Sequence, residues 1–427
     1  MKVKYIYSAC LQIETSDLRV LTDPWFTEGI YGGSWFQYPR IDPFDIIEEP
    51  DYIYISHIHP DHYDPEFLFK IFDRYGSKPI LIPDFRKNPL FYKAKIDGIE
   101  MEPVREFKLG NTQIFIEEND TGSHSDIDSA LIVHDTFSRK SILNLNDCVF
   151  NETHVQKLKL IIDKLQGKLD LVALGYAGAS AYPQTYFDIH TEKASLIKEA
   201  DIKKQKGFDR YNSFRNFFEA TYYLPFAGDY ILGSHLAVLN EYRGVPDACD
   251  VKNFDDKALV FHPGGEINLQ SNQVFNERDR AHSIDDINIR LEEISSLPLH
   301  YEEDFNLEYK KINFIRLISM AAKNGLMKSE IDEDYCFIFT ILEDNMPVKK
   351  FKLLCPGGDV VEMSIDDIYR GTFYSELIID YRLFFGLLIG FYHWNNADVG
   401  SLFQTRRYPV DNYDRSVQSF LNFFTIV

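Results

Sequence analysis

Residues Ser56 to Asp64 read SHIHPDHYD, so His57, His59, Asp61 and His62 crowd into one turn of a chain that holds only 12 histidines in 427 residues. Neutral imidazoles and a carboxylate at this spacing are the donor set that suits zinc, iron or manganese. Pro60 stiffens the turn between them. The alternative is a run of surface histidines. Further candidate donors downstream weigh against it: His124, in DTGSHSDIDSALIV, precedes a β-rich run, and Asp147, in ILNLNDCVF, closes one. Taken singly, His124 would be a hydrogen-bonded loop residue and Asp147 a turn former. The upstream cluster makes both of them candidate ligands.

Donors so far apart in the chain need a scaffold that brings strand ends together. Up to residue 150 the chain offers short β-rich runs broken by turn residues, among them VKYIYSA, RVLTDPWF, DYIYISH, KPILIPD, TQIFIEE, DSALIVH and KSILNLND. Their alternation predicts a sheet-dominated start. In ETHVQKLKLIIDKLQ, Val155, Leu158, Ile162 and Leu165 recur at helical spacing, with Asn151 as cap and Gly167 as stop. LDLVALGYAG then predicts a strand, the lysine-rich segment from Thr191 to Tyr222 predicts helix, and YYLPFAGDYILGSH and KALVFHPGGEI return to strand and turn. After Glu266 the texture becomes polar and acidic. This places a first domain at 1–268, a connecting segment with one helix at 269–305, and a C-terminal domain at 306–427. In the last, YKKINFIRLISMAAKNGLM predicts a helix, and CFIFTIL with KKFKLLCPGGDVVEMSI a pair of strands.

Composition narrows the function classes. With 45 basic and 66 acidic residues the net charge is −21. Such a mean surface opposes unaided binding to nucleic acid or to anionic membranes. The five cysteines show no paired spacing, which suits a reducing compartment, and a cytoplasmic location is expected. The N-terminal segment lacks a sustained apolar run, so no export signal is expected. LFFGLLIGFYHW is about half the ~20 residues needed to cross a bilayer and is read as a buried core element.

In order along the chain, VLTDPWFTEG, YIYISHIHPDH, GSHSDIDSALIV, ILNLNDC, GYAGASAYP, LPFAGDYILGSH and FHPGGEINL resemble the metallo-β-lactamase-fold family, and within it the catalytic domain of the CMP-N-acetylneuraminate hydroxylases. The resemblance covers roughly the first 265 residues. It implies an α/β (α+β) αββα sandwich with a C-terminal accessory α+β domain. It also implies a two-metal site: His57, His59 and His124 on one ion, Asp61 and His62 on the other, and Asp147 bridging both. His235, in ILGSH, matches the last ligand position, with His262 as its rival. Asp23, in LTDPW, matches a buried aspartate that fixes a ligand histidine or the Asp61 loop; a plain turn before Pro24 is the alternative.

The cofactors implied are two divalent ions, zinc or iron, with manganese open. Two such ions about 3.5–4 Å apart would share a hydroxide and polarise the oxygen it attacks, with Asp61 and Asp147 as the catalytic carboxylates. Hydroxylases of this family also carry a Rieske iron–sulfur domain, bound through C-x-H and C-x-x-H pairs. Neither pair occurs in this sequence. The expected function is therefore hydrolysis of a small anionic ester, lactone, amide or phosphodiester. An iron-dependent oxygenase acting on a nucleotide sugar or related metabolite, served by a separate electron donor, is the second reading, and a non-catalytic binding protein on the same fold the third.

Beyond the metals, Tyr176, Ser180, Tyr182 and Gln184 in GYAGASAYPQTY could face substrate or simply close a packed turn. Lys203, Lys204 and Lys206 could steer an anion, although a solvated helix face is the simpler expectation. His393, Trp394, Arg406 and Arg407 could cap the cleft or serve packing and surface pairing. Substrate and oligomeric state are not encoded in any of these features.

Overall fold

The computed structural model describes residues 1–122, 128–165, 167–329, 331, 334–410 and 414–427. His124 lies outside the described residues. Two sheets stack in the N-terminal part of the chain. One has eight strands in the order Gln273–Glu277, Phe261–Asn268, Lys2–Tyr7, Cys10–Glu14, Arg19–Thr22, Tyr52–Tyr54, Ile80–Ile82 and Glu102–Pro103. The other has six: Ala220–Phe226, Leu169–Gly175, Lys140–Asn144, Ser129–Asp135, Thr112–Glu118 and Glu106–Leu109.

Side-chain alternation explains the layering. Successive residues of a strand point to opposite faces, so a strand covered on both sides reads as nearly continuous apolar sequence. Along Ser129–Asp135, Leu131 and Val133 enter the core between the sheets with Ile114, Ile142 and Leu171. Ala130 and Ile132 point the other way, onto Val155, Leu158 and Ile162 of the helix Glu152–Leu165. On the first sheet, Tyr54 faces the inner core while Ile53 and Ile55 face outward, against Phe67, Leu68 and Ile71 of the helix Pro65–Tyr75. Burying each of those three side chains contributes roughly 1.5–3 kcal/mol. The result is the αββα sandwich.

The helices Pro65–Tyr75 and Pro89–Ile96 lie within the segment that reads as β-rich. The first begins where Asp64, the last residue of the histidine run, accepts a hydrogen bond from Phe67 N at 2.9 Å, with Pro65 in the first turn. The connecting segment also holds more than one helix: Ile284–Ile294 and His300–Asp304 are both helical, and Gln273–Glu277 extends the first sheet past residue 268.

The C-terminal part forms a five-stranded sheet, Asp359–Met363, Met346–Cys355, Tyr335–Glu343, Tyr374–Asp380 and Gln404–Tyr408, with the helix Phe314–Ser329 packed on it. Of LFFGLLIGFYHW, the helical part within Tyr381–Leu388 is buried through Leu383, Phe384, Leu387 and Leu388, and Trp394 is buried at the start of Trp394–Val399, whereas Phe391 and His393 between them are exposed. Phe314, Phe337, Phe384 and Trp394 join Tyr7, Trp25, Trp35 and Ile55 in one continuous apolar core. The two parts of the chain thus share an interior. Among the described residues, no helix is long and apolar enough to cross a membrane.

Candidate metal centre

Three strands of the sandwich end at one place. Asp23 follows Arg19–Thr22, the run from Ser56 follows its parallel neighbour Tyr52–Tyr54, and Asp147 follows Lys140–Asn144 on the opposite sheet. Asp23 and Asn146 both adopt left-handed backbone, with φ of 39° and 46°. Non-glycine residues rarely do so, and such conformations collect at functional sites. The two edges are tied together: Ser129 Oγ donates to Ser56 O at 2.9 Å, and Asn146 Nδ2 donates to Ser129 O at 3.0 Å.

His57, His62 and Asp147 offer donor atoms that all lie within 4.8 Å of one another. His62 Nε2 is 3.5 Å from Asp61 Oδ2 and 3.6 Å from Asp147 Oδ2. His57 Nε2 is 2.8 Å from His59 Nδ1. The structure therefore brings together five of the expected ligands, His57, His59, Asp61, His62 and Asp147. His57 and His62 are buried, whereas the Asp147 side chain is 29% exposed and forms the open side of the cluster.

His62, His57 and Asp61 are each oriented from behind, as ligands commonly are. Asp23 Oδ1 accepts from Ser56 N at 2.7 Å, and Asp23 Oδ2 accepts from Ser56 Oγ at 2.8 Å and lies 3.1 Å from His62 Nδ1. That contact turns His62 Nε2 toward Asp61 and Asp147. His57 Nδ1 faces Ser56 Oγ at 3.0 Å and Asp128 Oδ1 at 3.3 Å, leaving its Nε2 for the cluster. Tyr31 donates to Asp61 Oδ1 at 2.6 Å, so Oδ2 is the oxygen facing His62.

Electrostatics tests whether a cation fits. Burial works to lower the His62 pKa, but Asp61, Asp147 and Asp23 together outweigh it and raise it well above the ordinary range. His57 moves the opposite way, depressed first by burial and then by His62 and His59. Burial would raise Asp147, yet His62 and Arg210 hold it below the usual carboxylate value. The carboxylates thus call for positive charge at the His62 Nε2 position, while the buried imidazole of His57 stays neutral. A divalent ion binding there would supply the positive charge in place of the His62 proton, beside the neutral ring of His57.

His235 is not part of this group. Its ring is exposed, with Nδ1 3.4 Å from Ser234 Oγ, because the chain turns at Ser234 with φ of 55° before the short helix Ser234–Tyr242. The neighbouring strand Ala220–Phe226 ends in Pro225 and Phe226, which carry no donor side chain. His262 is also exposed, on Phe261–Asn268. The weaker substrate candidates are engaged elsewhere. Tyr176 is buried with its hydroxyl 3.4 Å from Asp229 Oδ1, and Ser180 Oγ donates to Tyr182 O. Tyr182 donates to Glu199 at 2.6 Å, and Gln184 Nε2 donates to Ser180 O and Ser401 Oγ.

Several participants come from outside the quoted motifs. Tyr31 and Asp128 are local additions. The C-terminal part contributes Asn395, whose Nδ2 is 3.1 Å from His59 Nε2. Lys203 points inward rather than to solvent, with Nζ donating to Ser180 O at 3.2 Å and Tyr182 O at 2.7 Å, and burial together with Arg243 lowers its pKa to about 7.

Comparison with known proteins bears on the fold that carries this cluster. Residues 2–163, which include every expected ligand except His235, match the family described as a beta-lactamase superfamily domain. The chain is 28% identical to the cytidine monophosphate-N-acetylneuraminic acid hydroxylase of Asterias rubens over 245 residues, which is 54% of this chain and 35% of that protein. The human homologue, described as inactive, is 27% identical over 248 residues, 55% of this chain and 46% of that protein. The match thus spans less than half the length of these curated relatives. Among solved structures, CmlA, a diiron beta-hydroxylase from Streptomyces venezuelae, aligns with a TM-score of 0.38 at 17% identity, over 62% of this chain and 48% of that one. An isothiocyanate hydrolase from Delia radicum gut bacteria aligns with a TM-score of 0.41 at 16% identity, over 63% of this chain and 99% of that one. The sandwich that carries the histidine and aspartate cluster thus has the metallo-β-lactamase fold, and its residues 2–163 are similar to that superfamily.

Proposed function

We propose that the chain is a dinuclear metal-dependent hydrolase of a small anionic ester, lactone, amide or phosphodiester. The observation that carries this reading is the convergence of His57, His62 and Asp147 within 4.8 Å, flanked by His59 and Asp61. His57, His59, Asp61, His62 and Asp147, with His124 as a further candidate, would hold two divalent ions. When bound, such ions supply a hydroxide nucleophile at neutral pH and polarise the oxygen under attack.

The chain's own residues do the rest. Asp23 and Asp128 fix the ring orientations of His62 and His57, so no reorganisation is needed during turnover. Tyr31 occupies Asp61 Oδ1, which leaves Oδ2 to accept a proton from the attacking water. Asp147, on the open side, faces incoming substrate. Hydrolysis needs neither electrons nor dioxygen, and these groups suffice for it.

The second reading is oxygenation, favoured by sequence similarity to hydroxylases. It would require electrons from a separate donor. Isotope labelling separates the two: a hydrolase turns over anaerobically without reductant and places solvent ¹⁸O in product, whereas label arriving from ¹⁸O₂ would overturn the hydrolase reading. Asp147→Asn is expected to abolish either reaction.

A further inference from the structure

Three arginines are buried among the described residues, Arg243, Arg278 and Arg290. Arg278 Nη1 donates to Asp247 Oδ2 at 2.8 Å, and Arg290 pairs with Glu28 and, at 2.8 Å, with Glu293. Arg243, 7% exposed, has no carboxylate partner among the described residues. Its Nη2 donates to Tyr230 O at 2.7 Å and its guanidinium carbon lies 4.2 Å from the Tyr230 ring centroid, but Nε and Nη1 find no hydrogen-bond acceptor. A buried cation with unpaired donors is costly, and each such group calls for an explanation.

Its surroundings supply one. Trp35 stacks on Tyr230 with centroids 3.4 Å apart, and its own buried Nε1 is also without a partner. A ring that close leaves no room for the guanidinium on the same face, so Trp35 and Arg243 sandwich Tyr230. Trp35 in turn packs on Tyr31, with ring centroids 4.6 Å apart, and Tyr31 donates to Asp61 Oδ1, so a run of aromatic contacts links the guanidinium to the candidate metal centre. Lys203, hydrogen-bonded to Ser180 O and Tyr182 O, is a second cation close enough to Arg243 for the guanidinium to lower its pKa. The position is built rigidly: Gly244, with φ of 63°, packs so closely that a Cβ there would lie 2.4 Å from Ala200 O on the helix Lys193–Phe217.

We propose that Arg243, with Lys203 near it, binds an oxyanion of the substrate, a carboxylate or a phosphoryl group, at a position joined to Asp61 through Tyr230, Trp35 and Tyr31. This deepens the reading of the cluster as a metal centre with a small anionic substrate. Guanidinium is the group suited to the task, because its N–H donors form charge-assisted hydrogen bonds to such oxygens.

The test measures binding of inorganic phosphate and of acetate, by calorimetry and by thermal shift, to the full chain after chelator treatment and at ionic strength matched with chloride. Metal content is measured separately on untreated samples. Wild type is expected to bind at least one of the anions in the millimolar range, which anion responds identifying the group. Arg243→Met should weaken that binding at least about tenfold with metal content unchanged. Should that variant fail to fold, Arg243→Lys, which keeps the charge and loses the planar donors, is expected to weaken binding several-fold. Equal anion binding by wild type and the folded variant, or no binding by wild type up to about 100 mM, overturns the proposal. Loss of the metal reading would show in the metal content alone and leave this result standing.

Discussion

Asn395 Nδ2 and His59 Nε2 lie 3.1 Å apart although 336 residues separate them in sequence. The Asn395 amide lies against His59 Nε2 while His59 Nδ1 faces His57 in the cluster. The C-terminal part thus orients a candidate ligand. Asn395→Ala is expected to weaken metal binding by about tenfold without unfolding the chain, and Asn395→Asp to strengthen it. Competition with a chelator reads both; equal affinities across the three proteins would reject the role.

The ligand assignment makes a sharper prediction. His62→Ala removes the imidazole that both carboxylates face and is expected to lose at least one metal equivalent. His235→Ala and His262→Ala, whose rings are exposed, are expected to keep full occupancy. Metal analysis of the folded variants decides it, and loss of an equivalent from His235→Ala would restore that residue to the site.

Acid stability should report on His154. Its ring is buried on the helix Glu152–Leu165, Nδ1 has no partner, and burial lowers its pKa to about 4. Unfolded, it would titrate near the ordinary value of about 6.5. Between these values the unfolded chain takes up a proton that the folded chain refuses. Stability therefore falls as pH drops from about 6.5 to about 4, by roughly 3 kcal/mol in total. His154→Phe is expected to flatten denaturant midpoints across that window, and an unchanged slope would contradict the account.

Gly244→Ala should be damaging far beyond its size. The positive φ disfavours any side chain, and the added carbon meets a backbone carbonyl rather than a flexible group. A loss of about 2 kcal/mol or more is expected in urea unfolding. A variant as stable as wild type would mean that the Arg243 segment is not fixed against the helix.

Much of this architecture was legible because both periodicities are strong. Strands covered on two faces, such as Ser129–Asp135, and the helix Glu152–Leu165 announce themselves by side-chain pattern. The helix Pro65–Tyr75 was masked by the histidine run in front of it, although Asp64 and Pro65 are ordinary start signals. Lys203 was misread as part of a solvated face. It occupies the stripe formed by Leu196, Ala200, Gly207, Tyr211 and Phe214, all buried, and that spacing was available in the sequence. Tyr31, Asp128 and Asn395 reach the cluster only through tertiary packing, which no local pattern encodes. His235 followed motif position, but the left-handed turn at Ser234 sets the direction of the chain there.

The pairing of Lys2–Tyr7 with Phe261–Asn268 also fixes the order of events during synthesis. At about 5–20 residues per second, the ribosome delivers the partner of the first strand only tens of seconds after that strand has emerged. The histidine run is therefore exposed on an unfinished sheet for most of translation, and Asn395 arrives later still. Metal acquired by the nascent chain before then would meet a cluster whose sheet partner and whose Asn395 contact are not yet in place.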